Sequence, residues 1–188
     1  QSISLLEERR QQISDANSRS LFLLRSQSAY KAMIELQFYY KHDYSAAFYY
    51  AEVARNRNVL DTSSNASFST INGQTSLSLA SNSQALKLKE VQSSLRDNAH
   101  LLTYALTEKG LAIWHITSKS LFAANTDISK TNLETIISQY LSDLKSRKDE
   151  DLIKHQSAKL YQLLISPVVQ KLDINAPLYI IQDGELSL

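Results

Sequence analysis

Glycine and proline are scarce in this chain, with three glycines and two prolines among 188 residues. Architectures built from many tight turns need both residue types, so their scarcity favours helices over a turn-rich β fold. The hydrophobic fraction of 43% and the charged fraction of 21% are those of a globular chain, which excludes wholesale disorder. The length allows one ordinary domain or two small ones.

Charge and cysteine usage exclude several classes of function. Twenty basic residues face 19 acidic residues, for a net charge of +1, which lacks the basic excess of a nucleic-acid-binding protein. The absence of cysteine excludes a disulfide framework, a thiolate zinc site and a cysteine nucleophile within these residues. The longest apolar runs, such as residues 21–24, are far too short to span a membrane. We therefore expect no nucleic-acid partner and no membrane segment.

The histidines show no spacing that is typical of catalysis or metal binding. They are His42, His100, His115 and His155, with no i, i+4 pair and no HExxH motif. The isolated glycines form no phosphate-binding loop. We therefore predict structural or solvated roles for all four histidines, and we predict neither a catalytic residue nor a metal site nor a cofactor in this chain.

The first 60 residues carry apolar side chains at helical spacing. One helix is predicted in residues 1–13, and a second is predicted from about residue 19 to 41, with Tyr30, Ile34 and Phe38 at steps of four. The two-residue break His42-Asp43 precedes a third, so the last two helices are predicted to form an antiparallel pair.

Tyrosines crowd this helix pair, and consecutive helical residues cannot all face one core. Tyrosine is enriched at interfaces because it provides contact area at low entropic cost. The candidate protein-binding residues are Tyr39, Tyr40, Tyr49 and Tyr50. The alternative is that these rings pack against a neighbouring helix pair in a longer array.

Residues 62–84 differ in composition from the rest. They are dense in serine, asparagine and threonine and carry no charged side chain. Such side chains compete with the backbone for hydrogen bonds, which favours a flexible linker between two units. An excursion that becomes ordered against a partner is the other interpretation.

Two apolar runs around Glu108-Lys109-Gly110 predict a β-hairpin with a three-residue loop, in which Gly110 adopts a left-handed conformation. Because both faces of the first strand are apolar, we expect a sheet covered on both sides. A short helix through Leu88, Val91 and Leu95 precedes the hairpin.

Two helices and a strand are predicted after the hairpin. Thr131 and Glu134 fit a capping box at the start of the first helix, and Pro167 ends or restarts the second. A turn separates the helices at residues 145–151. The run 178–181 has the continuous apolar character of a buried parallel strand. The order of elements predicts an α/β unit that follows an α unit.

Residues 42–61 resemble the second helix of a tetratricopeptide repeat. Tyr44, Ala47 and Ala54 occupy positions where that repeat has an aromatic residue and small residues. Glu35 and Val59 depart from the pattern, which has glycine and proline at those places.

Residues 85–188 resemble the opening of a CHAT domain, the caspase-like domain that follows tetratricopeptide repeats in many bacterial proteins. The motifs that carry the likeness are Gln92 with Leu95, Leu101-Leu102-x-Tyr104, Gly110-Leu111 with Trp114, Leu160-Tyr161 with Pro167, and Ile180-Ile181-x-Asp183-Gly184-x-Leu186. Gln182 replaces the proline that the family has before Asp-Gly.

The resemblance implies an α+β or α/β fold in three parts: tetratricopeptide-like helices at 1–61, the linker at 62–84, and at 85–188 the first part of a caspase-like α/β/α sandwich. It implies a fragment of a cytoplasmic bacterial protein whose whole is a caspase- or separase-like cysteine endopeptidase. The repeats of that protein would recruit a regulator or substrate. Its His–Cys dyad would follow Leu188, so this chain is expected to be inert. The alternative is a non-catalytic scaffold that binds proteins or peptides through its helices.

Overall fold

A computed structural model describes residues 16–64 and 87–182. Helix α1 spans Ala16–Glu35 and continues as a π-helical segment, Leu36–Tyr40, and α2 spans Tyr44–Ser64. The predicted break is confirmed: His42 has a φ of 53°, and the Asp43 carboxylate accepts a hydrogen bond from the Ala46 amide at 2.9 Å. The helix predicted in residues 1–13 lies outside the described residues.

A four-stranded mixed sheet forms the centre of the fold. Its strands are β1 (His100–Thr107), β2 (Gly110–Ile116), β3 (Leu121–Thr126) and β4 (Leu178–Ile181), in the order β3-β2-β1-β4. The β1–β2 and β2–β3 pairs are antiparallel, whereas β4 runs parallel to β1. The hairpin and the parallel direction of β4 are therefore confirmed, while β3 was not predicted.

The hairpin loop is shorter than predicted. Thr107 pairs with Gly110, so the loop has two residues rather than three and Gly110 opens β2. Gly110 has a φ of 133°, and a Cβ there would lie 2.5 Å from the Thr126 carbonyl oxygen. Glycine is thus required by backbone conformation and by the close approach of β3.

The remaining helices are α3 (Leu88–Ser94), α4 (Lys130–Lys145), α5 (Glu150–Leu164) and a 3₁₀ segment, Ser166–Lys171. The predicted capping box of α4 is wrong. Ser129 is the N-cap and accepts a hydrogen bond from the Asn132 amide, because the helix starts one residue before Thr131. The predicted turn between α4 and α5 and the helix break at Pro167 are confirmed.

Helices cover both faces of the sheet. On one face, residues of the α1–α2 pair share a hydrophobic cluster with β1 and β2: Ile34, Phe38, Ala47, Phe48, Ala51, Leu101, Ala105, Ala112, Trp114 and Ile116. On the other, the sheet packs against α4 and the 3₁₀ segment through Leu102, Tyr104, Leu106, Leu111, Ile113, Ile128, Leu133 and Val168. The fold is mixed α/β, and the expectation of a sheet covered on both sides is confirmed for β1 and β2 but not for β4, whose side chains are exposed.

The helices at 16–61 and the unit predicted at 85–188 therefore share one hydrophobic core. Helix α2 extends to Ser64, three residues into the predicted linker, and the rest of that linker lies outside the described residues.

Strand β4 differs from its prediction in burial. All four of its side chains are exposed, between 38% and 51% of their surface, although the run was predicted to be buried. The reason is its position: β4 is at the end of the sheet, and both described hydrophobic clusters are centred on β1 and β2.

Candidate functional site

The four candidate tyrosines lie in different environments. Tyr40 is the most exposed, at 62%, and its ring lies 4.5 Å from the Lys109 ammonium at the hairpin loop. Tyr39 and Tyr50 are half-buried against the core of the helix pair, and burial raises the pKa of Tyr39. Tyr49 is exposed and its ring contacts that of Tyr50 at 5.7 Å. Tyr40 and Tyr49 are thus the two most exposed of the four, at 62% and 37%, and their role in binding stays a prediction.

An aromatic cluster joins the helix pair to the sheet. The Trp114 ring lies edge-on to Phe38 at 5.3 Å and to Phe48 at 6.3 Å. Its indole Nε1 donates a hydrogen bond to the Tyr44 carbonyl oxygen at 2.9 Å. Because Trp114 is completely buried, these contacts fix the start of α2 over β2.

A second link between these layers is ionic. Arg55 of α2 pairs with Glu52 one turn earlier, and its Nη2 donates to the Thr103 hydroxyl at 2.9 Å and to the Tyr104 carbonyl oxygen at 3.0 Å. The Glu52 side chain is almost wholly buried. A buried carboxylate requires such a partner, so this pair holds α2 in one position on β1.

The opposite layer is held by neutral hydrogen bonds and one carboxylate. The Tyr104 hydroxyl donates to the Leu164 carbonyl oxygen at 3.1 Å, and burial raises the pKa of Tyr104 to about 12. Between α4 and α5, the Asp143 carboxylate accepts hydrogen bonds from the amides of Gln139 and Gln156, both at 2.8 Å, and these bonds lower its pKa. These groups connect elements of the fold.

The sheet brings together two histidines that are 15 residues apart in the sequence. His100 Nδ1 lies 2.6 Å from His115 Nε2, and the two rings stack at 4.9 Å. His115 is buried, and its Nδ1 atom has no hydrogen-bond partner. Burial, His100 and Lys171 lower the pKa of His115 to about 4, so the ring is neutral at pH 7. We refer to these two residues as the histidine pair.

Sequence reasoning missed the histidine pair, although the hairpin register contains the signal. His115 lies opposite Leu102, and residues two apart on one strand share a face, so His100 and His115 are diagonal neighbours. Linear spacing, which indicated four unrelated histidines, cannot reveal this. His42 lies between α1 and α2, and His155 is exposed on α5.

The histidine pair does not have the geometry of a metal site. Two nitrogens on one tetrahedral zinc ion are about 3.3 Å apart, whereas a separation of 2.6 Å is that of a hydrogen bond. Over residues 16–64 and 87–182, no group of three or more potential ligands could hold a metal ion.

The exposed apolar strand β4 is the other unusual surface. In parallel pairing, residues in register point to the same face, so Leu178 and Ile180 lie on the α4–α5 side and Tyr179 and Ile181 lie on the α1–α2 side. Its outer edge pairs with no strand of the described residues. The strand thus offers apolar groups on two faces together with unpaired backbone groups.

Comparisons with protein families, with curated proteins and with solved structures give no match to this chain. Among the helices of the described residues, none is both long and apolar enough to cross a membrane.

Proposed function

We propose that this chain is the leading, non-catalytic part of a caspase-like domain of the CHAT type, joined to tetratricopeptide-like helices, in a bacterial cysteine endopeptidase. The resemblance at residues 85–188 motivates the proposal. Helices on both faces of the sheet and the parallel β1–β4 pair support it, because they are features of an α/β/α sandwich.

Strand β4 is the observation that carries the proposal. Residues 174–182 contain no charged side chain, and every side chain of the strand is exposed. Proteins protect an edge strand with charges, bulges or a covering element, and an apolar run on both faces is typical of a strand inside a parallel sheet. We therefore infer that further polypeptide adds a strand beside β4 and helices over its two faces.

The chemistry of the peptidase would belong to that further polypeptide. A cysteine peptidase requires a thiolate activated by a neighbouring imidazole, and these 188 residues contain no cysteine. The part played by this chain would be to support the central sheet from one side, while the α1–α2 pair recruits a regulator or substrate.

The test uses the natural gene product purified from its source organism. We expect it to cleave fluorogenic peptides after Arg or Lys, the specificity that the resemblance to the CHAT family implies, and we expect iodoacetamide to abolish the cleavage because it alkylates the catalytic thiol. Residues 1–188 alone should show no cleavage. An inactive gene product, or a cleavage activity that resists alkylation, would contradict the peptidase proposal.

A pair of variants of the same gene product tests the role of β4. Ile180→Lys places a charge on the exposed strand, whereas Leu152→Lys places one on α5 at a side chain of similar exposure. If β4 is an interior strand of the whole protein, Ile180→Lys should reduce activity at least tenfold and Leu152→Lys should change it less than twofold. Equal effects of the two variants would show that β4 is not covered.

A non-catalytic scaffold is the second candidate function. It is favoured by the exposure of Tyr40 and Tyr49 on the helix pair, since exposed tyrosines are common in binding surfaces. Under this proposal, the double variant Tyr40→Ala/Tyr49→Ala would abolish co-purification of a protein partner while the fold is retained. Retention of thiol-dependent cleavage by that variant, without any partner, would favour the peptidase instead.

A further inference from the structure

The histidine pair lies where β4 joins the sheet. His100 is the first residue of β1, its amide donates a hydrogen bond to the Pro177 carbonyl oxygen at 2.8 Å, and it is in register with Leu178. On the other side, His115 lies opposite Phe122 of β3, and the Lys171 ammonium lies 5.3 Å from that ring. A change in the charge of the pair therefore acts at the attachment point of β4.

The hydrogen-bond contacts of the histidine pair determine which ring nitrogens carry protons when both rings are neutral. If Nε2–H of His115 donates to Nδ1 of His100, the unpartnered Nδ1 of His115 is a bare acceptor. In the other tautomer, His115 would bury an N–H group without an acceptor, and native proteins avoid orphaned N–H groups more strongly than unused acceptors. The first arrangement is therefore the stable one.

One proton on the bare Nδ1 of His115 would keep this hydrogen bond but bury a positive charge, which the charge of Lys171 opposes, and a second proton, on Nδ1 of His100, would remove the bond. Nδ1 of His100 and Nε2 of His115, 2.6 Å apart, would then both be donors, and two positive charges would face each other. The groups whose charge acts on His115 are His100 from β1 and Lys171 from the 3₁₀ segment, and both have the same sign when protonated. Residues 121–126 of β3 carry no titratable side chain, and Tyr179, the titratable residue of β4, faces the opposite side of the sheet.

Separation of β4 from β1 would relieve this repulsion at a lower free-energy cost than separation of β1 from β2. Strand β4 pairs with β1 over four residues and leaves its side chains exposed, whereas β1 and β2 pair over seven residues and are buried. We propose that the histidine pair is a pH-sensitive device, which holds β4 against β1 when its rings are neutral and weakens that attachment in acid. The proposal does not depend on the proposed peptidase function.

Hydrogen exchange of residues 1–188, at a protein concentration low enough for the chain to be monomeric, tests it after correction for the intrinsic rate at each pH. The reporter is the His100 amide, and the control is the Ile165 amide, which bonds to the Tyr161 carbonyl oxygen on α5. Opening at β4 can at most return the pKa of His115 from about 4 to the ordinary 6.5, so protection of the His100 amide should fall by more than threefold and up to about thirtyfold between about pH 7.5 and about pH 5. Protection of the Ile165 amide should fall less than threefold. Equal losses at the two amides, or no loss at His100, would overturn the proposal.

The variant His100→Asn/His115→Gln supplies the matched test. Its amides place an acceptor near the position of Nδ1 and a donor near the position of Nε2, so the hydrogen bond is retained without titration. The loss of protection at residue 100 should then fall below threefold, while His155→Gln should behave as the natural chain does. If the double variant does not fold, ¹⁵N NMR titration of the imidazoles in the natural chain decides: normal titration of His115 near pH 6.5 would overturn the proposal.

Discussion

Phe48 offers the sharpest test of whether the helix pair and the sheet form one cooperative unit. The residue belongs to α2, is 1% exposed, and contacts the buried ring of Trp114 on β2. Phe48→Ala removes a buried ring and leaves a cavity, at a cost of about 3–5 kcal/mol in the free energy of unfolding. For a chain of this size, 1 kcal/mol corresponds to about 2–4 °C, so the melting temperature should fall by about 6–20 °C.

The assay uses two probes that report on different parts of the chain. Trp114 is the single tryptophan, so its fluorescence follows the contact between the helix pair and the sheet, while circular dichroism at 222 nm is dominated by the helices. In a single unit, Phe48→Ala should lower the midpoint of both transitions equally, although the substitution is in a helix. Tyr49→Ala, at the neighbouring exposed position of α2, should change the free energy of unfolding by about 0.5 kcal/mol or less.

Independent units would give a different result. If the helix pair unfolds separately, it will expose Trp114 before the sheet unfolds, so both signals will change in two steps and Phe48→Ala will shift only the first step. That outcome would refute the shared core and would support an autonomous helical repeat at 1–61. Should Phe48→Ala not fold at all, Phe48→Leu removes less volume and permits the same comparison of midpoints.

Three further predictions concern stability. Gly110→Ala should destabilise the chain by about 2 kcal/mol or more in urea unfolding, because it combines a positive φ with a Cβ that would contact the Thr126 carbonyl oxygen; normal stability would contradict the role assigned to this glycine. Arg55→Met should lower the free energy of unfolding by about 3 kcal/mol because it leaves Glu52 buried without a cation. The double variant Arg55→Met/Glu52→Gln should recover most of that loss. Additive effects in the double-mutant cycle would show that the two residues are not coupled. The pKa of His115 is lowered from 6.5 to about 4, so the neutral ring contributes fully to the free energy of unfolding above about pH 6.5. That contribution, up to about 3 kcal/mol, should be lost as the pH falls toward 4. Urea midpoints that do not change over this interval would contradict the prediction.

Local patterns in the sequence were sufficient for most of the elements. The hairpin, the break at His42-Asp43 and the end of α5 before Pro167 each depend on residues near one another in the chain, so propensity and spacing predict them. Strand β3 was not predicted because it depends on residues of another strand rather than on its own local pattern. Its small and polar residues at 123–126 have no strand pattern of their own, and the segment becomes a strand because the edge of β2 provides backbone partners.

The candidate sites depend on contacts that no local pattern contains. Four tyrosines in two helices indicated one binding surface, but the sheet covers one side of the helix pair and partly buries Tyr39 and Tyr50. The histidine pair arises from the register of two strands, which the positions of the loop residues determine. Sequence reasoning could have obtained that register by pairing Thr107 with Gly110, but the assumption of a three-residue loop shifts it.

Strand β4 shows why a prediction can be right about conformation and wrong about environment. The apolar run 178–181 predicts a strand because its residues have high β-propensity, and it predicts burial because parallel strands are normally covered on both faces. The conformation and the parallel direction require only β1, whose edge provides the hydrogen bonds. Burial requires covering layers, and the residues that pack on the sheet do so at β1 and β2.

Since an uncovered apolar strand promotes association, residues 1–188 alone should form oligomers through β4. In sedimentation experiments, Ile180→Lys should keep the chain monomeric, whereas Leu152→Lys should not. A chain that is monomeric without either substitution would show that β4 needs no further cover, and it would remove the main support for the proposed caspase-like domain.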